Sequence, residues 1–283
     1  MIWLASAVEE IRKDNIHGAS HLADKALDIL KDAARSSQAG SSEEFLQEMA
    51  RLAGELIKCR PTMVPIGNLV SRFLDRIQEY GGDSAGLDSI RSFSLAAVGK
   101  IKAEFQQARV KAIAAGAGLI AAGDTIITAS YSSTVAEAMT QARKAGKWFK
   151  VLAARSQTRS GAVAYGERMA AALAGHGVEC LLFDDEHIEA RTGQADKAII
   201  GADCILPDGS LLNGCPTGRL ALAAQKENIP LYSICESSKF SRSRRLDSIE
   251  EGFDLVAPDL ITGIAWEKGL LETPRVSAII RSK

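Results

Sequence analysis

Asp203 is the residue from which a chemistry can first be built. It closes the stretch Lys197–Asp203, in which Ala198, Ile199 and Ile200 form a short apolar run. A run that short reads as a strand buried on both faces. Gly201-Ala202-Asp203 then puts a carboxylate at the strand's carboxyl end, the edge where open parallel sheets bind ligands. Further on, Asn213-Gly214-Cys215-Pro216-Thr217-Gly218 opens directly onto the helix-period segment that follows. A glycine-bearing loop before a helix presents free N–H groups and a positive dipole end to an anion. The stretch therefore offers a candidate acid/base and a candidate phosphate cradle. The same spacing also suits an ordinary strand–turn–helix whose Asp caps a loop.

Two other strand ends carry related chemistry. Thr128-Ala129-Ser130-Tyr131-Ser132-Ser133-Thr134 is rich in hydroxyls and precedes a helical segment. It suits a phosphate, and it suits a helix N-cap. The segment from Ala154 to Gly161 holds Arg155, Arg159, Ser156 and Ser160, which favour an anion or form a solvated loop. Arg60 precedes Pro61, which restrains it from the helical region; an arginine held at a helix break grips an anion or makes a surface salt bridge. No GxGxxG follows a strand, and there is no GxSxG elbow or Walker motif. Among His17, His21, His176 and His187 no pair has metal spacing. Neither metal nor cofactor is expected.

The elements that must position these residues fall into two halves. Residues 1–31 read as helix, interrupted at 15–20. A loop at 37–42 leads through a capping-box pattern, Ser41 with Glu44, into a helix striped by Phe45, Met49, Leu52, Leu56 and Ile57. A helix over 66–80, a loop over 80–89 and a long helix over 90–119 follow. From Thr125 strands and helices alternate, with strands at 125–128, 149–153, 179–184, 197–203, 230–235 and 253–256. Alternation with short links predicts a parallel, doubly wound sheet. The fold class is α/β: a helical N-terminal domain (1–120) and a Rossmann-like C-terminal domain (121–283).

Composition narrows the partners. The 283 residues carry a formal net charge of -1, so no direct nucleic-acid partner is expected. The five cysteines include no CxxC, which argues against a disulfide framework or structural zinc and for a reducing cytoplasm. The N-terminal MIWLASAV lacks a basic region and runs into EEIRKD, as a helix start does. The apolar run 113–123 is too short to span a bilayer, so no membrane is expected.

Assembled in order, these pieces resemble the family of the translation initiation factor 2B alpha, beta and delta subunits, whose enzyme relatives are methylthioribose-1-phosphate isomerase and ribose-1,5-bisphosphate isomerase. The resemblance rests on His17-Gly18-Ala19-Ser20; Cys59-Arg60-Pro61-Thr62 with Asn68-Leu69; Ile126–Ser132; Ile200-Gly201-Ala202-Asp203 with Asn213; Pro230-Leu231-Tyr232 with Ser238-Lys239-Phe240; and Phe253-Asp254 with Pro258, Leu260-Ile261-Thr262 and Glu267-Lys268-Gly269. It implies a homodimer built through the C-terminal domain and a cleft between domains for a phosphorylated small molecule. It matches Asp203 to the isomerases' catalytic aspartate and Arg60 to their phosphate-binding arginine. It marks Gly18, Ala19, Asn213, Gly214 and Thr217 as ligand-side residues, and Arg155 joins them from its place at the end of the second strand.

The place of the isomerases' cysteine falls on Ser130, and their Asn-Lys-x-Gly-Thr block is here Asn213-Gly214-Cys215-Pro216-Thr217. A hydroxyl is a far weaker acid than a thiol, and one cation is gone. Cys215 stands either as a substitute thiol or as a small residue in a tight loop; Cys204 is expected in the core. Two functions follow from the resemblance. One is a regulatory protein of the initiation-factor type that keeps a sugar-phosphate or nucleoside-monophosphate pocket, with a translation-factor partner. The other is an aldose–ketose isomerase of a sugar 1-phosphate with a non-standard active site.

Overall fold

The computed structural model describes residues 2–81, 85–159, 161–243 and 249–281. The chain forms two compact units, Met1–Gln107 and Ala108–Lys283. The first is helical: α1 (Ile2–Lys13), α2 (Ala19–Ser36), α3 (Ser42–Cys59), α4 (Val64–Tyr80) and most of α5 (Leu87–Gly118). Its breaks have local causes. Gly18 is the extended N-cap of α2. The Ser41 hydroxyl accepts the Glu44 N–H at 3.2 Å, and the Glu44 carboxylate accepts the Gly40 N–H at 2.8 Å. This is the expected capping box with its return bond moved one residue outward. Phe45, Met49, Leu52 and Leu56 of α3 are buried, as are Leu22, Leu27 and Leu30 of α2 and Phe73 and Ile77 of α4. Ile57, expected in the same stripe, is half-buried. The loop expected over 80–89 starts one residue later and ends at Leu87, where α5 begins; residues 82–84 lie outside the described residues.

The second unit holds the end of α5, then β1 (Thr125–Thr128), α6 (Ser133–Lys144), β2 (Lys150–Ala154), α7 (Tyr165–Ala174), β3 (Glu179–Phe183), α8 (Ile188–Thr192), β4 (Lys197–Ile200), β5 (Cys204–Ile205), β6 (Leu211–Gly214), α9 (Thr217–Lys226), β7 (Leu231–Ile234), β8 (Phe253–Val256), β9 (Gly263–Trp266), β10 (Gly269–Leu271) and α10 (Val276–Arg281). Seven strands form one sheet in the order β10-β9-β7-β4-β1-β2-β3. All pair in parallel except β10, which runs antiparallel to β9. Alternate strand residues feed opposite faces. Ile126, Val151, Ala153, Ile199 and Ile234 pack with α6, α7 and the end of α5. Ile127, Leu152, Ala154, Ala198 and Ile200 pack with α8, α9 and α10. Both faces are therefore covered by helices, which is the doubly wound, Rossmann-like architecture.

The structure corrects the expected place of the 253–256 strand. β8 is not part of the parallel sheet. It pairs antiparallel with β6, and β6 pairs antiparallel with β5, as a separate three-stranded sheet. Only Val256 in β8 is buried, and Leu255 is exposed. A strand wetted on one face suits an antiparallel sheet rather than a doubly covered parallel one. The expected strand over 197–203 stops at Ile200, because the Asp203 N–H turns away to Leu212 O at 2.8 Å. Asp208-Gly209 is the turn that joins β5 to β6, with Gly209 at φ 90, a conformation that favours glycine.

One close approach fixes the crossover after β2. A Cβ on Gly166, in the first turn of α7, would overlap the backbone carbonyl of Ala154. Gly166→Ala is expected to destabilise the protein by at least about 2 kcal/mol, read as a melting temperature lower by at least about 4 °C. Gly175→Ala, which meets nothing within 4 Å, is expected to melt like the wild type.

Candidate functional site

The chain starts its sheet at β1 and lays β2 and β3 to one side. It then returns to place β4, β7 and β9 on the other. The β1/β4 boundary is a topological switch point, where neighbouring strand ends diverge and leave a crevice. Ser130 and Ser132 follow β1, and Asp203 follows β4. A Cβ on Gly201 would lie 2.8 Å from Ser132 Oγ and 3.6 Å from Asn213 Oδ1. A Cβ on Gly214 would collide with the Ser130 hydroxyl. The structure thus brings Ser130, Ser132, Asn213 and Gly214 to one place. The β5–β6 pairing holds Asp203 there through its N–H bond to Leu212. Ser132 also serves as the N-cap of α6, accepting the Val135 N–H at 3.3 Å.

Lys239 joins this group. It lies on a short 3-10 turn after β7, is only 5% exposed, and places Nζ 3.9 Å from Asp203 Oδ1. A lysine is almost never so buried unless paired. Sequence reading used it as part of a motif and gave it no role, because its burial depends on the turn that follows β7.

The loop before α9 is organised by Asp254 of β8. The register pairs Asn213 with Asp254 and Gly214 with Phe253. Asp254 Oδ2 accepts the Gly218 N–H at 2.9 Å, and Oδ1 accepts the Cys215 thiol at 2.8 Å. Asn213 Nδ2 donates to Thr217 Oγ1 at 2.9 Å, and that hydroxyl donates to Gly214 O at 2.6 Å. The Cys215 N–H goes to Gly252 O at 2.8 Å. The anion at this helix N-terminus is therefore the chain's own carboxylate, which satisfies the positive dipole end. Burial first, and then the Asp254 carboxylate, push the Cys215 thiol up to about 12. Cys204 is in the core, as expected, and its thiol is likewise pushed up to about 12, chiefly by burial.

Arg155 is placed differently. It is half-buried, donating from Nε to Asp184 at 2.9 Å and from Nη1 to Glu167 at 2.6 Å. In the N-terminal unit, Arg60 is 6% exposed and donates from Nη1 to Asp14 O at 2.6 Å. Asp14 Oδ1 accepts the Ile16 and His17 N–H groups, and Oδ2 lies 2.7 Å from His17 Nδ1. Arg60 is thus tied to the turn that leads into Gly18 and Ala19. Burial raises the Asp14 carboxyl, but the His17 and Ile16 hydrogen bonds outweigh it and leave the group below its ordinary range. The His17 and His21 rings stack at 4.1 Å. Ser160 lies outside the described residues.

Residues 15–252 match the initiation factor 2 subunit family. The chain belongs to that family. It is 29% identical to a Pyrococcus furiosus protein named as eIF-2B subunit 2-like, over 95% of this chain and 96% of that one. It is 24% identical to a ribose 1,5-bisphosphate isomerase from Thermococcus kodakarensis, over 97% of this chain and 92% of that one. Among solved structures it is similar to the Pyrococcus horikoshii translation initiation factor eIF-2B, with a TM-score of 0.82, 26% identity, and coverage of 96% of this chain and 98% of that one. No helix among the described residues is long and apolar enough to cross a membrane.

The Asp254 clamp has a direct chemical consequence. A thiol raised from 9.0 to about 12 has about a thousandfold less thiolate near neutral pH, and the thiolate is the nucleophile. Cys215 is expected to alkylate with iodoacetamide far more slowly than a free thiol at pH 8, with a rate still climbing above pH 10. Asp254→Asn removes the carboxylate charge and is expected to speed the reaction. Peptide mass spectrometry at Cys215 reads both; fast labelling of the wild type at pH 8 contradicts the clamp.

Proposed function

We propose that this chain binds a sugar phosphate, or a nucleoside monophosphate, at the switch point of its C-terminal unit, and does so as a regulatory protein of the initiation-factor type rather than by rapid turnover. The observation that carries this reading is the pairing of a retained polar site with a silenced thiol. Ser130, Ser132 and Asn213 gather around Gly201 and Gly214, and Asp203 pairs with Lys239, while the Cys215 thiol donates to Asp254 and is pushed up to about 12. Lys239 supplies a buried cation on the Asp203 side. Among the described residues no imidazole or carboxylate hydrogen-bonds the Ser130 hydroxyl, so it supplies hydrogen bonding rather than acid–base work. Arg60, Gly18 and Ala19 of the N-terminal unit are proposed phosphate-binding residues on the family resemblance alone. A homodimer through the C-terminal unit and a translation-factor partner belong to the same reading.

A second reading is an aldose–ketose isomerase. It is favoured by the Asp203–Lys239 pair, which places a carboxylate where a sugar oxygen can exchange a proton, and by the likeness to ribose 1,5-bisphosphate isomerases. In that reading Asp203 moves protons at the sugar oxygens during ring opening, and the carbon-bound proton needs a base other than a thiolate.

Thermal-shift titration with ribose 1,5-bisphosphate, followed by NMR of the ligand, separates the two. Saturating ligand is expected to raise the melting temperature by several degrees, as about 2.7 kcal/mol at a hundredfold excess over Kd would do, and the ligand is expected to remain unconverted. Conversion that Asp203→Asn abolishes would establish the isomerase. The absence of any shift with sugar phosphates or nucleoside monophosphates would overturn both readings. Arg60→Ala is expected to shrink the shift at least tenfold in apparent affinity, in line with loss of a charged hydrogen bond.

A further inference from the structure

Two residues in the second unit hold left-handed backbone without being glycine at neighbouring strand ends. Ser130, after β1, has φ 63, and Ser156, after β2, has φ 49. Both are buried, at 8% and 1% exposure. Non-glycine residues keep such backbone only where their surroundings over-determine it, and such positions cluster at functional sites. The surroundings here form a chain of bonds across three strand ends. The Ser130 N–H donates to Ser156 Oγ at 2.7 Å, and that hydroxyl donates to Ala154 O at 3.2 Å. The Ser156 N–H donates to Asp185 Oδ1 at 2.7 Å, and the Gln157 N–H to Asp185 Oδ2 at 3.1 Å. Asp185 lies just after β3.

The chain of bonds then returns to the site from the other side. Arg219, in the first turn of α9, donates to Asp185 O at 2.9 Å and to Glu186 O at 3.1 Å. It is itself held by both oxygens of Glu189 at 2.6 Å. α9 is the helix whose leading loop carries Gly214, and the space above Gly214 is filled by the Ser130 hydroxyl. The path therefore closes on itself: Ser130, Ser156, Asp185, Arg219, the 214–218 loop, and Ser130 again. The Arg219 bond to Asp185 O and the close approach of Ser130 to Gly214 join the β1, β2 and β3 ends to the loop before α9.

We propose that Ser156, held by Asp185 (whose carbonyl Arg219 in turn binds), is a positioning residue that sets Ser130 in its left-handed conformation and delivers the Ser130 hydroxyl to the 213–217 loop. Ser156 acts only through Ser130. The importance of this for binding rests on the reading of the switch-point crevice as a sugar-phosphate site; the geometry of the relay does not.

Ser156→Gly tests it in the full chain, because glycine accepts φ 49 without strain yet offers no hydroxyl. The variant is expected to melt within about 3 °C of the wild type. Its Ser130 amide is expected to exchange with deuterium about fivefold to tenfold faster, as follows from losing one net hydrogen bond. Its affinity for ribose 1,5-bisphosphate by calorimetry is expected to fall by a similar factor. Asp185→Asn, which leaves one of two backbone N–H groups facing an amide, is expected to speed the same exchange while retaining Ser156. A purely structural role predicts the reverse for Ser156→Gly: relief of strain, unchanged Ser130 exchange and unchanged affinity, which would overturn the proposal. If the wild type does not bind ribose 1,5-bisphosphate, the functional reading of the crevice fails, and unchanged or accelerated Ser130 exchange still decides the relay by itself.

Discussion

The carboxylate of Asp254 is the constraint on which the site depends. With one oxygen it accepts the Gly218 N–H at the start of α9, and with the other it accepts the Cys215 thiol. Both partners would otherwise be the most reactive features of the loop: an open helix N-terminus that attracts anions and a thiol in the same turn. Asp254 removes both. It can do so because β8 runs antiparallel to β6 and sets Asp254 opposite Asn213. The three-stranded sheet is thus less a supplement to the core than the device that decides what the 213–218 loop can do.

The proposed ligand site lies at the switch point of the seven-stranded sheet. Here the diverging ends of β1 and β4 place hydroxyls on one side and Asp203 on the other. Lys239 is brought in from the turn after β7 and balances the Asp203 charge at low exposure. The covered faces of the sheet explain why such polar groups are confined to its edge. Ile126, Ile127, Ile199 and Ile200 fill the two cores, so unpaired polar side chains would be costly anywhere but at the strand ends.

Much of this was legible in the amino-acid order. The apolar run before Gly201-Ala202-Asp203 identified a doubly buried strand, and the switch from helical period to strand–helix alternation near residue 120 predicted an α/β second half. Ser41 with Glu44 announced a cap that the structure contains. The separate antiparallel sheet was not legible. β5 has two residues and β6 four, too few for any periodicity to register, and β8 looked like one more strand of the alternating series. The roles of Asp254, Lys239 and Asp185 stayed hidden for the same reason. Each depends on which distant strand end lies beside it, and local spacing does not encode that. Arg155 shows the converse: an arginine at a strand end reads as an anion grip, yet the fold sets Asp184 and Glu167 within its reach.

The measurement that bears most directly on this account is a crystal structure of the protein with ribose 1,5-bisphosphate bound. The account predicts ligand oxygens among Ser130, Asp203 and Lys239, with Asp254 still bonded to Gly218 and Cys215. A phosphate group seated on the Gly218 N–H, with Asp254 displaced and the Cys215 thiol released toward the sugar, would contradict it.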